Sequence, residues 1–198
     1  MIFMEPVLFR NVTAIVLAGG KNSRMEGVDK SMLPVKGTPM IRYIVNQLES
    51  HFREIIIGAG DIEKYSFLNH EVIPDEIEGM GPLMGIYSCL VGSNNDLNFI
   101  TACDIPDINI DFVKEMLELS AGADIVMPVN DNNDNEPLYA VYRKTIIPAA
   151  RKLLKEKKLK ISGLFEMVNI KFIPFDGRGW YHNLNYRDDY DKFIDKAV

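Results

Sequence analysis

Fourteen residues near the amino terminus, LAGGKNSRMEGVDK (17–30), concentrate groups that could hold phosphate. They follow VTAIVLA (12–18), a short β-branched apolar run of the kind that forms a buried strand. Gly19 and Gly20 let a backbone pass close to a ligand and aim its N–H groups at an anion. Arg24 and Lys30 add positive charge near the same spot, and Lys21 to Lys36 contains four basic and two acidic residues. The bland alternative is a solvated strand–helix turn. Two better-known phosphate loops do not fit. A P-loop needs a lysine directly after its last glycine, which Gly27-Val28-Asp29-Lys30 lacks. Gly58-Ala59-Gly60 starts like a dinucleotide fingerprint, but Glu63 stands at the third glycine position.

Carboxylates follow two later strands. Asp104 ends the apolar run LNFITACD (97–104). A buried strand has little use for a terminal carboxylate unless it pairs, caps or binds a cation. Mg²⁺ takes one or two carboxylates plus phosphate oxygens, so Asp104 is expected to be the metal ligand, with a turn cap before Pro106 as the alternative. Asp75 ends EVIPD in the same way and is either a ligand contact or a turn aspartate. Gly79, Gly81, Pro82 and Gly85 open a helix, where they could wall a nucleotide pocket or serve only as turn residues. Asn183 and Asn185, two apart in a stretch taken as extended, would point to one face.

The elements that must position these residues alternate. Strands are expected at 12–18, 54–60, 71–74, 97–104, 124–129, 137–143 and 170–175. Helices are expected after Thr38 as N-cap with Pro39 at the first position, then near 82, at 111–120, 145–157, 161–167 and 187–195. Ile41, Ile44, Val45 and Leu48 would form the apolar face of the first helix. KLLKEKKLK (152–160) reads as a solvated helix face and NDNNDNE as a loop. Such alternation implies an α/β fold with a mostly parallel sheet between helices, and ligands bound beyond the carboxyl ends of the strands.

Bulk composition sets bounds. With 198 residues the chain is expected to form a single domain, 1–198. A net charge of −6 argues against nucleic acid or an anionic membrane as partner. Cys89 and Cys103 form no CxxC pair and read as small buried hydrophobes, in keeping with a reducing cytoplasm. No signal peptide or membrane-spanning run is expected. His51, His70 and His182 lie outside the motifs, so no general base stands out.

The first loop resembles the opening motif LAGGxSxRMxGxDK of the molybdenum cofactor guanylyltransferases, the MobA-like branch of the nucleotidyltransferases. GPLMGI (81–86), CDIP (103–106), EPLYAVY (136–142) and NLNYRDDY (183–190) continue the resemblance in order. Cytidylyl and sugar-activating relatives read AAG and PK where this chain has Ala18-Gly19-Gly20 and Asp29-Lys30. The resemblance implies a Rossmann-like three-layer nucleotidyltransferase fold. It implies transfer of GMP from GTP to the phosphate of Mo-molybdopterin with Mg²⁺ as cofactor. Arg24, Lys30 and Asp104 would be catalytic. Leu17, Ala18, Gly19, Gly20, Lys30, Asp75 and Asp104 would bind the nucleotide, and Asn183 and Asn185 the acceptor or the metal. It also leaves room for transient contact with molybdoenzymes or cofactor-biosynthesis proteins. A cytidylyltransferase, a sugar-nucleotide pyrophosphorylase or a non-catalytic nucleotide-binding or cofactor-chaperone protein are the alternatives. Three places depart from the pattern: Glu26 in the loop, Tyr186-Arg187 for Thr-Pro, and Gly58 and Gly60 where some members carry an asparagine that helps read guanine.

Overall fold

The computed structural model describes residues 9–19, 29–130, 134–175 and 179–197. Its strands are β1 (Phe9–Leu17), β2 (Pro34–Val35), β3 (Thr38–Pro39), β4 (Phe52–Gly58), β5 (Glu71–Ile73), β6 (Leu97–Ala102), β7 (Ile125–Val129), β8 (Tyr139–Arg143) and β9 (Ile170–Pro174). Its helices are α1 (Met40–Glu49), α2 (Ile62–Tyr65), α3 (Pro82–Gly92), α4 (Ile110–Glu118), α5 (Ile147–Lys155) and α6 (Arg187–Ala197). Seven strands form the main sheet in the order β5-β4-β1-β6-β8-β7-β9. All neighbours are parallel except β8, which runs antiparallel to both β6 and β7. The link from β7 to β8 is too short for a crossover helix, so β8 must return antiparallel.

Alternation along β1 builds two cores. Val12, Ala14 and Val16 face one side with the buried residues of α1 and α4 and with Tyr190 and Phe193 of α6. Ile15 and Leu17 face the other, against α3 and α5. The result is the expected three-layer α/β arrangement. α1 is amphipathic, and Ile41, Ile44, Val45 and Leu48 are buried as expected. In α3 every residue from Leu83 to Leu90 is buried, because the helix is wedged between the sheet and α5.

Two of the expected helix features are not borne out. Thr38 does not cap α1. Lys36 and Gly37 have φ of 47° and 82°, the positive pair of a two-residue hairpin turn, and Thr38–Pro39 pairs back on Pro34–Val35. The helix then starts at Met40, with Pro39 at the cap and no side-chain bond. The segment expected as a helix at 161–167 holds only a 3₁₀ turn, Ile161–Leu164. Among the described residues no helix is long and apolar enough to cross a membrane.

Candidate active site

Register brings four strand ends into one row. Ile73, Gly58, Leu17 and Ala102 are successive partners across β5, β4, β1 and β6. Asp75 and Asp104 each lie two residues past this row, at opposite ends of it. They are separated by three inter-strand steps, about 14 Å in all. Ala18 and Gly19 leave β1 between them, with the Ala18 amide donating to the Gly58 carbonyl at 2.9 Å.

Lys30 and Asp104 meet. The ammonium Nζ is 3.5 Å from Asp104 Oδ2 and donates to the Leu184 carbonyl at 2.7 Å. Their side chains are only 14% and 24% exposed, so the pair lies in a recess that still reaches solvent. Asp29 sets the lysine in place. Its carboxylate accepts from the Ser31 amide at 3.1 Å and the Ser31 hydroxyl at 2.8 Å, capping the 3₁₀ turn Lys30–Met32, and it also pairs with Lys64 of α2. The Asp104 loop is held from α1. Gln47 Nε2 donates to the Pro106 carbonyl at 2.8 Å, its Oε1 accepts from the Ile108 amide at 3.0 Å, and the Tyr43 hydroxyl donates to Asp107 at 3.2 Å. Cys103 beside Asp104 is no nucleophile, since burial pushes its thiol up to about 12.

Asp75 occupies a less polar place. Burial, and then the charge of Glu78, raises its carboxyl above the usual range. It makes no hydrogen bond or ion pair among the described residues. A Cβ on Gly85 would sit 3.4 Å from its Oδ1 and 3.5 Å from Leu17 Cδ2, so the carboxylate, α3 and the end of β1 share one recess. Gly79 and Gly81 have φ of 77° and 73°, so turn geometry alone accounts for glycine at both. Gly58 is also fixed by packing. A Cβ there would lie 2.7 Å from Leu17 Cδ2 and 2.8 Å from Cys89 Sγ. Gly58→Asn is therefore expected to lose about 1–3 kcal/mol to overpacking, measured by urea denaturation, rather than to supply a base-reading side chain. Unchanged stability would show that the β4 end can open.

Asn183 and Asn185 do not lie in an extended stretch as expected. The Asn185 amide donates to the Asn183 carbonyl at 3.0 Å, a three-residue turn, so two-residue spacing no longer places both side chains on one face. Tertiary bonds impose the bend: the Leu184 amide donates to the Asp104 carbonyl at 2.8 Å, and Lys30 holds the Leu184 carbonyl. Asn183 Oδ1 is buried without a hydrogen-bond partner. His182 is tied to Asp107 at 3.3 Å, and α6 is anchored by Tyr190 donating to the Pro34 carbonyl at 2.6 Å. Two residues not named as site candidates from the sequence, Tyr181 and the Glu136 that opens EPLYAVY, join this edge. Tyr181 donates to Glu136 Oε2 at 2.6 Å, and Asp104 lies close enough to act on the charge of both. Burial is the main cause raising both groups. Of the expected residues, Gly20 and Arg24 lie outside the described residues.

A family model described as the MobA-like NTP transferase domain matches residues 14–166, from β1 through the 3₁₀ turn at Ile161–Leu164. The chain belongs to this family. Nucleotidyl transfer is therefore its reaction class, and nucleotidyltransferases of this kind typically work with a divalent metal ion. A probable molybdenum cofactor guanylyltransferase from Carboxydothermus hydrogenoformans is 33% identical over 93% of this nucleotidyltransferase and 96% of the relative. One from Pelotomaculum thermopropionicum is 35% identical over 81% and 78%. A crystal structure of molybdopterin-guanine dinucleotide biosynthesis protein A from Archaeoglobus fulgidus superposes with a TM-score of 0.79 at 22% identity, covering 93% of this chain and 97% of that one.

Proposed function

We propose that this nucleotidyltransferase, acting as one domain over 1–198, transfers GMP from GTP to the phosphate of Mo-molybdopterin and releases pyrophosphate. The observation that carries the reading is the Lys30–Asp104 pair, set at the carboxyl edge beside the glycine-rich exit of β1. The relatives named as guanylyltransferases supply the base and the acceptor.

The fit to a cation rests on this edge. Among the described residues no three His, Cys, Asp or Glu side chains converge. Asp104 and the unpaired Asn183 Oδ1 offer few but hard oxygen donors, which suits Mg²⁺, an ion that takes its remaining ligands from phosphates and water. When bound, such an ion would neutralise charge on the phosphates. Gly19 also fits a ligand. A Cβ there would meet nothing nearer than the Gly58 carbonyl at 3.9 Å among the described residues, and its φ is not in the left-handed region. The described fold does not require glycine at 19; the close approach of a triphosphate does.

The chemistry asks for positioning more than proton transfer. A phosphate monoester has a second pKa near 6 and is already largely dianionic at neutral pH. It attacks the α-phosphorus, the bond to the bridging oxygen breaks, and pyrophosphate leaves with the electron pair. Lys30, with Arg24 and the amides of Gly19 and Gly20, stabilises that leaving charge. Asp75, roughly a nucleotide's breadth from Asp104, reads guanine together with the main chain of Leu17 to Gly19. A guanine N1–H and amino group suit a carboxylate or carbonyl acceptor. Asn183 and Asn185 serve the acceptor, though not from one shared face. The partners are small molecules, with transient contact to molybdoenzymes or cofactor-biosynthesis proteins at hand-over, and the setting is the cytoplasm.

Two measurements test this. Pyrophosphate release is assayed with each of the four nucleoside triphosphates against molybdopterin and sugar phosphates; GTP with molybdopterin is the productive pair. Titration with Mg²⁺ present is expected to show GTP bound at least ~10-fold more tightly than CTP, because a site built to hydrogen-bond one base leaves its polar groups unpaired with another. Equal or tighter CTP binding would move the assignment to a cytidylyltransferase.

A further inference from the structure

Tyr65 connects the two ends of the segment 17–30. Its side chain is 2% exposed and belongs to the core that includes α1, yet its hydroxyl has polar neighbours on two sides. The oxygen lies 2.9 Å from Ser31 Oγ, next to Lys30, and 3.5 Å from the Ala18 carbonyl, at the exit of β1. Counting protons settles the directions. Ser31 has one hydroxyl proton, and it goes to Asp29 Oδ1 at 2.8 Å, because an ionised carboxylate can only accept. Ser31 Oγ therefore accepts from Tyr65. The Ala18 carbonyl is the second and longer acceptor of the same tyrosine proton. At the far end, Asp29 Oδ2 pairs with Lys64, the residue before Tyr65 on α2. The Asp61 carboxylate caps α2 by accepting from the Lys64 amide at 3.0 Å.

Each end of this relay carries a group that the phosphates need. A peptide unit is planar and trans, so its carbonyl and its N–H point in opposite directions. With the Ala18 carbonyl held toward Tyr65, the Gly19 N–H is turned away from it. On the other side, Asp29 accepts from the Ser31 amide at 3.1 Å and so closes the 3₁₀ turn on which Lys30 sits.

We propose that Tyr65 and Ser31 are positioning residues for nucleotidyl transfer: their hydroxyls couple the Ala18–Gly19 peptide to the turn of Lys30 and set the Gly19 amide and the Lys30 ammonium relative to each other. The role rests on the functional reading above, in which both groups act on the triphosphate. The coupling itself rests on the contacts. Placement of this kind matters because a displacement of about 1 Å in a reacting constellation can cost about 10²-fold in rate.

Core packing is the ordinary role of a buried tyrosine, and Tyr65→Phe separates it from positioning by keeping the ring and removing only the hydroxyl. Pyrophosphate release by the folded variant is expected to fall about 3–10-fold in kcat, the scale of one hydrogen bond. Ser31→Ala, which breaks the relay one step further on, should fall by a similar factor. The telling comparison repeats Tyr65→Phe in a Lys30→Ala background. With Lys30 gone there is no spacing left to set, so the further loss should be under about 2-fold. A hydroxyl that only supports the fold costs the same factor in both backgrounds.

A second readout needs no substrate. Ser31→Ala should shift the ¹⁵N NMR amide signals of Ala18 and Gly19, and the same substitution made in Tyr65→Phe should lose most of that shift, since the carrier is gone. Normal turnover by Lys30→Ala would overturn the functional reading and with it the positioning role, and the NMR shifts would then judge the coupling alone. Equal losses from Tyr65→Phe with and without Lys30 would overturn the positioning role. Ala18 and Gly19 signals that ignore Ser31→Ala, or respond to it equally without the Tyr65 hydroxyl, would overturn the coupling.

Discussion

Lys30→Ala is expected to lose about 10²–10³-fold in kcat, the scale of removing one preorganised charge stabiliser from a group-transfer site. The parent lysine has two tasks. Its charge is aimed into the recess beside Asp104, and one of its protons ties the loop to the Leu184 carbonyl. Alanine removes both. It leaves a carbonyl without its donor and Asp104 without its counter-charge, so a modest fall in stability, about 1–3 kcal/mol, accompanies the loss of rate. The two effects separate on a second variant. Lys30→Met keeps the stem and its packing but carries no charge or donor. If the rate depends on charge, methionine is as slow as alanine while thermal melting shows the chain folded. Circular dichroism establishes folding, and pyrophosphate release gives the rate. A folded Lys30→Met protein with near-normal turnover would remove Lys30 from the phosphate site and leave it a strut for the C-terminal segment.

How far the site could be read from sequence depends on how local its causes are. The row of strand ends was legible. Parallel strands with helical crossovers place the residues after each strand on one edge, and that logic singled out Gly19, Asp75 and Asp104 before any contact was known. Both cores followed as well, since α1 shows its buried face in its own periodicity. Thr38 was misread because a cap and a hairpin strand can share one sequence; the Lys36-Gly37 turn, with both φ positive, decides it. The Asn183–Asn185 geometry failed for a tertiary reason. Leu184 is bent by bonds to Asp104 and Lys30, far away in sequence. The Tyr181–Glu136 contact spans 45 positions and exists because β8 inserts antiparallel beside β6, a strand order that periodicity does not encode. Glu136 opens the EPLYAVY motif, but nothing in that motif indicated that its carboxylate would lie near Asp104.

Asp104→Asn separates the chemistry of this edge from its architecture. The scaffolding role of Asp104 is in its backbone: its carbonyl accepts from the Leu184 amide at 2.8 Å and so docks the C-terminal segment. The flanking turn is closed by the Ile105 amide on the Ala102 carbonyl at 3.1 Å and held from α1 through Gln47. None of these bonds needs the carboxylate. Asparagine keeps the size and one carbonyl oxygen but removes the negative charge, and Lys30 loses its ion-pair partner. If the carboxylate serves to hold a cation on the phosphates, its loss acts mainly through metal affinity. Turnover at limiting Mg²⁺ is then expected to fall at least ~10²-fold, and a large excess of metal should recover part of it, because a neutral oxygen still binds a hard ion weakly. Urea midpoints near those of the parent would confirm that the edge has kept its shape. The telling pattern is the metal dependence: a loss that shrinks as Mg²⁺ rises identifies a ligand, whereas a loss independent of metal points to Asp104 as the counter-charge that orients Lys30. Full activity at limiting Mg²⁺ would make Asp104 a turn residue whose carboxylate has no part in the reaction.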